Sequence, residues 1–306
     1  MAITKQDASQ AKGVDKAYLL QAILLEQEVQ QTLDNFANDS YDVLVENTTS
    51  SGLQDKDLTV EKIIVLWGVA MLMFDNAMEK GIGNIATVKK NMFLEQSVPL
   101  LRSAGANSWA DQFKVKLGNL KSDMVKSFRT MLSGPYDLSY TDRMNAIDKT
   151  SKTVIRNIID TGARDGLSGK VIAQRLDRYV NPVPGETPVR PWDVMRNATK
   201  STKSFTPKDV LPGSIQSNMI NVARTQSAES YRQAANRAFD KEPWVVGYRW
   251  VLSGSHPRPD ICDDFAEHGV YGKDDKPTSH NYCLCDWIPV LMSRDQIIEL
   301  LKAGAI

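Results

Sequence analysis

Apolar side chains recur at steps of three and four residues through the first 180 residues, and this period constrains the fold more than any other feature of the chain. Such spacing places the apolar side chains on one face of an α-helix. The pattern is plainest over residues 14–36, at Val14, Tyr18, Ala22, Leu25, Val29, Leu33 and Phe36. It returns over residues 88–101, 108–132 and 142–179, with breaks at Gly134-Pro135 and Gly166. We therefore expect residues 1–180 to form a helical region.

The polar stretch ENTTSSGLQDKD separates the first helix from the second and predicts a surface loop. Asp57 and Thr59 are the candidate caps of the helix that follows it. That helix carries the most apolar run of the chain, IIVLWGVAMLMF at residues 63–74. A membrane span needs about 20 such residues, so the run is typical of a helix in a protein core. A membrane-perturbing role remains as an alternative.

The amino-acid composition changes at residues 181–213, which hold six of the thirteen prolines of the chain. Proline lacks a backbone donor and fixes φ, so this segment can be neither a long helix nor a central strand. Two interpretations remain open. The segment is an extended arm that gains order on a partner, or it is a disordered linker between two domains.

Helical spacing resumes at residues 214–239, and the period then changes to two. Trp244, Val246, Tyr248, Trp250 and Leu252 alternate with their neighbours, which predicts a β-strand with an aromatic face turned to the core. A second strand is expected at residues 283–290, with Pro289 near a sheet edge. The predicted fold is α+β and mostly α: a helical region (1–180), a proline-rich arm or linker (181–213) and a small C-terminal α+β domain (214–306) with a short sheet.

Charge is unevenly distributed, although the formal net charge is zero. Residues 141–241 carry 17 basic and 10 acidic side chains, whereas both flanks are acidic. This cationic middle can face DNA phosphates or an acidic protein, and a helix surface of solvated lysine and arginine gives the same count. The candidate DNA-binding residues are Arg175, Arg178, Arg190, Arg196, Lys200 and Lys203.

All three cysteines and all three histidines lie between residues 256 and 285. Structural zinc takes four nitrogen or sulfur ligands in a tetrahedron, and one such set is present: Cys262, His280, Cys283 and Cys285. On a strand, Cys283 and Cys285 would point to the same face. His256, His268 or Asp263 can replace one ligand. A turn of buried thiols without metal, and a disulfide from Cys262 to one of the other cysteines, are the alternatives.

Three motifs follow one another in this part of the chain. They are Ala223-Arg224-Thr225 on a helix, the segment GYRWVLSGSHPRPDICD at residues 247–263, and HNYCLC at residues 280–285 followed by Ile288-Pro289-Val290. Over about 70 residues this order resembles the phage Mu gpF-like domain of phage minor head proteins. The chain departs from many members of that family in having Asp263, Asp264 and Phe265 after Cys262, where a second cysteine is common.

The resemblance implies a structural minor head protein of a tailed bacteriophage, acting in head assembly at the portal vertex or inside the capsid. Its implied partners are the portal protein, the major capsid protein or other head components, and packaged double-stranded DNA, without a small-molecule substrate. Its implied location is the virion head, after assembly in the host cytoplasm. The polar segment MAITKQDASQAKG at the start lacks the apolar region of a secretory signal, which also predicts cytoplasmic synthesis.

The sequence lacks the common motifs of enzyme active sites. The chain has neither a phosphate-binding glycine loop nor a GxSxG elbow, and Glu267-His268 stands in the wrong order for a zinc deaminase. We therefore expect a protein that is not an enzyme. The alternative function from another class is a zinc-dependent DNA-binding or nuclease-like module.

Overall fold

A computed structural model of the chain describes residues 14–49, 52–133, 138–182, 214–253, 260–280 and 283–304. The expected α+β fold, mostly α, is confirmed. Before residue 183 the described helices are α1 (Val14–Glu46), α2 (Lys56–Ser103), α3 (Asn107–Gly118), α4 (Leu120–Ser127), α5 (Tyr140–Arg164) and α6 (Gly169–Val180). Two short antiparallel strand pairs lie between them: β1 (Thr48–Thr49) with β2 (Gly52–Leu53), and β3 (Leu132–Ser133) with β4 (Leu138–Ser139).

The helix boundaries differ from the predicted ones at the start of α2 and within residues 108–132. The backbone N–H of Leu58 donates to the carboxylate of Asp55, so Asp55 caps α2, and the predictions of Asp57 and Thr59 are wrong. The helix expected over residues 108–132 is interrupted at Asn119. The predicted break at Gly166 is confirmed, because this residue has φ +66°, a conformation that glycine adopts without strain. The predicted break at Gly134-Pro135 lies outside the described residues.

The C-terminal part consists of α7 (Ile215–Phe239), β5 (Val245–Val251), α8 (Ile261–Glu267), β6 (Val270–Tyr271), β7 (Asp286–Leu291) and α9 (Arg294–Lys302). The three strands form one antiparallel sheet in the order β6-β5-β7. Tyr248 of β5 stands opposite Pro289 of β7, and Trp250 stands opposite Trp287. Pro289 therefore lies on an edge strand of this sheet, as predicted.

The described chain separates into two compact units, each made of several segments. Unit 1 comprises Met1–Leu25, Glu79–Tyr140 and Ala223–Ile306. Unit 2 comprises Glu26–Met78 and Thr141–Val222. The predicted domain boundaries at residues 180 and 213 stay predictions, and the proline-rich arm lies outside the described residues from residue 183 to residue 213.

Unit 1 has an aromatic core that joins helices to the sheet. Phe113 contacts Phe239 and Trp244, with ring centroids 5.2 and 5.1 Å apart. Tyr18 of α1 stacks on Tyr231 of α7 at 4.3 Å. The buried aromatic side chains of the sheet are Tyr248, Trp250, Tyr271 and Trp287, so the predicted burial is confirmed for the two aromatic residues of β5. Val246, predicted on the same face, is 51% exposed, because the strand has an irregularity between Val245 and Gly247.

Unit 2 is built from helices and the β1–β2 pair. Trp67 of α2 is fully buried, contacts Phe36 edge to face, and donates its indole N–H to Asp148 at 3.0 Å. The apolar run at residues 63–74 lies in α2, as expected for a core helix, but only one of its faces is buried. Ile63, Trp67, Ala70 and Phe74 are buried, whereas the exposed side chains of the run are Val65, Val69, Leu72 and Met73.

Candidate metal centre

Cys262 is placed by a well-capped helix. The Asp260 carboxylate accepts the backbone N–H of Cys262 at 2.7 Å, and the Asp263 carboxylate accepts the backbone N–H of Asp260 at 2.7 Å. This capping box begins α8 and holds Cys262 in its first turn. Asp263 is thus engaged in the cap. Its proposed use as a substitute metal ligand has no support in this geometry.

Cys283 and Cys285 lie directly before β7. The backbone N–H of Cys283 donates to the carbonyl of His280 at 3.3 Å, which turns the chain back toward the sheet. Strand β7 begins only at Asp286, so the predicted strand over residues 283–290 is too long at its start. The two cysteines therefore owe their common direction to the turn and to contacts with other elements, and not to strand alternation.

The three thiols converge in the interior of unit 1. The residues Cys262, Cys283 and Cys285 are 0%, 2% and 3% exposed, and their Sγ atoms all lie within 4.8 Å of one another. The Sγ atoms of Cys262 and Cys283 are 3.5 Å apart. In a zinc tetrahedron with Zn–S bonds of about 2.3 Å, neighbouring sulfurs are about 3.8 Å apart. The cluster can therefore hold a metal ion.

His280 lies beside this cluster together with an acidic residue that the sequence analysis did not select. The Nε2 atom of His280 is 3.2 Å from a carboxylate oxygen of Asp260. Asp260, Cys262 and His280 form a second group whose ligand atoms lie within 4.8 Å of one another. A carboxylate on one ring nitrogen is the usual support of a metal-binding histidine, since it orients the ring and leaves the other nitrogen for the ion.

The protonation of the thiols is strongly coupled. Hydrogen bonds from Cys262, Cys285 and His280, together with the charge of Arg232, lower the pKa of Cys283 despite its burial. The hydrogen bonds to Cys283 and Cys285, with burial, raise the pKa of Cys262. The hydrogen bond with Cys262 lowers the pKa of Cys285, but the contact with Cys283 and burial outweigh it and raise the value to about 12.

The other predicted ligand candidates lie elsewhere. His268 stacks on Tyr271 with ring centroids 4.2 Å apart, and His256 lies outside the described residues. Of the predicted tetrad, the structure thus brings the three cysteines together and places His280 next to Cys262 and Cys283. Asp260 was missed because its only sequence signal is its position two residues before Cys262.

The predicted DNA-binding residues are described only in part. Arg175 and Arg178 lie on α6, the first half-exposed and the second exposed. Arg190, Arg196, Lys200 and Lys203 lie outside the described residues. Arg224 of the Ala-Arg-Thr motif is 6% exposed and Thr225 is 1% exposed, so both belong to the interior of unit 1.

Within the described ranges, no helix combines the length and the apolar character that crossing a bilayer requires. This includes α2, whose apolar run at residues 63–74 is followed by Asp75.

Comparison of the chain with protein-family models, with curated proteins and with solved structures gave no match.

Proposed function

We propose that this chain is a structural protein of a tailed-phage head and that it has no catalytic activity of its own. We also propose that a zinc ion stabilises its C-terminal part. The observation that carries the proposal is the convergence of Cys262, Cys283 and Cys285 beside the sheet formed by β5 and β7. Two of the three head-protein motifs of the sequence lie on these strands and on the segments next to them, and the Ala-Arg-Thr motif lies on α7.

The arrangement of these elements supports the resemblance noted in the sequence. Arg249 and Trp250 of β5 stand opposite Ile288 and Trp287 of β7, so the tryptophan-bearing strand and the Ile-Pro-Val strand are direct neighbours. Arg224 belongs to the same unit, in the part of α7 that begins at Ala223. Segments separated by tens of residues in the chain thus form one structural element, whereas a fortuitous motif match would not require this.

The donor set supports zinc over magnesium or calcium. Three thiolates are soft ligands that suit zinc and disfavour magnesium or calcium, and an imidazole completes the four ligands of a structural site. His280, oriented by Asp260, is the fourth ligand that we propose. When bound, the ion cross-links the first turn of α8 to the segment before β7 and contributes directly to folding.

Elemental analysis of the full chain, purified under reducing conditions, tests the metal. We expect about one zinc per chain in the unaltered protein and a large loss in Cys283→Ser. His268→Gln is the matched control, because this histidine stacks on Tyr271 outside the cluster. Less than about 0.2 zinc per chain in the unaltered protein, together with unchanged thermal stability of Cys283→Ser, would exclude the zinc centre.

Location in purified virions tests the role in the head. We propose that the chain contacts the portal protein, the major capsid protein or another head component, and packaged double-stranded DNA. Cross-linking mass spectrometry is expected to join residues 1–213 to portal subunits. Absence of the protein from particles, or normal infectivity after deletion of its gene, would contradict the proposal. A zinc-dependent DNA-binding or nuclease-like module would then become the leading hypothesis.

A further inference from the structure

Arg232 of α7 is a buried cation that reaches the backbone of the metal-binding segment. Its side chain is 3% exposed, and its guanidinium donates to the carbonyl of Cys285 at 2.9 Å and to that of Cys283 at 3.5 Å. A third bond goes to the hydroxyl of Ser279 at 2.7 Å. One side chain therefore contacts three positions of the segment that supplies His280, Cys283 and Cys285.

The guanidinium is itself held in place by Glu229 and Trp250. Its Nε donates to the carboxylate of Glu229, one turn earlier on α7, at 3.1 Å. Its central carbon lies 5.9 Å from the ring centroid of Trp250. A planar guanidinium has donors in a fixed fork, so once Nε is fixed by Glu229 the directions of the remaining donors are fixed as well. The two carbonyls must then lie where the fork points.

The positions of these carbonyls constrain the backbone that carries two of the thiols. The Cys285 thiol also accepts the backbone N–H of Ser253 at 3.4 Å. Each carbonyl belongs to the same residue as a cluster thiol, and residues 283–285 precede the strand, so no ladder hydrogen bonds of β7 orient them. The guanidinium of Arg232, which lies outside the sheet, orients the backbone of these residues instead. Its positive charge also lies beside a site that, with three thiolates, one imidazole and a divalent ion, has a net charge of −1.

We propose that Arg232 is the positioning residue of the metal centre: it holds Cys283 and Cys285 in the geometry that a tetrahedral ion requires. This inference rests on the proposed zinc centre. Groups that orient metal ligands from outside the coordination sphere typically change metal affinity by 10- to 100-fold when they are replaced. Arg232→Gln is therefore expected to weaken zinc binding at least tenfold in the folded protein.

The test compares four variants of the full chain in zinc competition against a chelator and in the absorption spectrum of the cobalt-loaded protein. Arg232→Gln removes the fork and the charge, and Arg232→Lys keeps the charge alone. Ser279→Ala removes one acceptor and is mild enough to fold if the arginine variants do not. Arg224→Gln is the matched control, a buried arginine on the same helix about 12 Å away along its axis.

We expect both Arg232 variants to lose at least tenfold in zinc affinity with an altered thiolate-to-cobalt band, Ser279→Ala to show a smaller change in the same direction, and Arg224→Gln to bind as the unaltered chain does. A purely structural role would lower stability and leave the cobalt band of the folded protein unchanged. Unaltered affinity and spectrum in Arg232→Lys and Ser279→Ala would overturn the positioning role while leaving the zinc centre in place. Absence of zinc binding by the unaltered chain would overturn both.

Discussion

Lys89 of α2 and Asp286, the first residue of β7, form an ion pair in the interior of unit 1. The Lys89 side chain is fully buried, and its ammonium lies 3.7 Å from the ring centroid of Tyr231. Burial raises the pKa of the Asp286 carboxyl, although the charges of Lys89 and Arg232 act against that rise. Since Asp286 follows Cys285 directly, the pair attaches the end of the segment that carries Cys283 and Cys285 to α2.

Breaking this pair on one side is expected to cost more stability than replacing both partners. Lys89→Met leaves a buried carboxylate without its partner and should lower the free energy of unfolding by about 3 kcal/mol or more. Lys89→Met combined with Asp286→Leu should recover most of that loss, because apolar side chains need no partner. Urea unfolding of the three proteins measures both values. A loss below about 1 kcal/mol in the single variant would show that the pair is not a buried charge pair in solution.

Metal removal is expected to destabilise the chain through His280 and not through His268. Excess chelator should lower the melting temperature of the unaltered protein, because a structural metal contributes folding free energy directly. His280→Ala should already have the lower melting temperature and respond little to chelator, whereas His268→Ala should respond as the unaltered protein does. Differential scanning calorimetry with and without chelator decides this. Equal chelator responses in the two variants would remove His280 from the ligand set.

Because Tyr179 of α6 is buried, we expect the free energy of unfolding to fall at alkaline pH. Burial raises the pKa of Tyr179 to about 12, against the lowering effect of a hydrogen bond with Ser151. In the unfolded chain the phenol ionises near pH 10, so the stabilisation is present below about pH 10 and is lost as the pH rises toward 12. Between pH 9 and 11 the unaltered protein should lose about 1 kcal/mol more than Tyr179→Phe.

Urea titrations across this range measure the difference for Tyr179, and Tyr41→Phe provides the control at an exposed position of unit 2. Parallel losses in the unaltered protein and in Tyr179→Phe would mean that the buried phenol does not set the alkaline limit.

DNA affinity, where present, is expected to come from residues 141–241. Lysine and arginine release counterions when they bind phosphate, and each lost contact reduces the slope of log K against log salt by about 0.9. The double reversal Arg175→Glu and Arg178→Glu on α6 should lower both affinity and slope without changing sequence preference. Reversal of the exposed Lys114 on α3, outside this region, is the control. Salt-independent binding, or binding unaffected by the double reversal, would contradict the assignment.

The sequence pattern predicted well the helices and strands that have a clear hydrophobic period of their own. Helix α7 and strand β5 lie within one residue of their predicted ranges, because each has a clear period of its own. The cysteine cluster was also predictable, since Cys283 and Cys285 are close in sequence and Cys262 is only 21 residues before Cys283. The sequence pattern did not predict how Cys283 and Cys285 are oriented. Their orientation depends on Arg232, which lies some fifty residues earlier on another helix.

The run at residues 63–74 shows a second limit of sequence patterns. Its residues are almost uniformly apolar, so periodicity does not distinguish the face that packs from the face that does not. In the structure Ile63 and Trp67 are fully buried, whereas Val65 is 66% exposed and Leu72 is 60% exposed. The distinction comes from which other segments pack on α2, and no property of the run itself determines it.

The stacking of Tyr18 on Tyr231 has a consequence for how the protein is made. The two rings are supplied by segments roughly 200 residues apart, and the core around them also includes Ile85 of α2. At about 5 to 20 residues per second, on the order of 10 to 40 s separate the synthesis of the two rings on the ribosome. During that time Tyr18, Leu19 and Ile23 have no partner from α7 to cover them. Unit 1 can therefore complete this part of its core only after α7 has been synthesised, and until then α1 exposes apolar side chains that the folded chain buries.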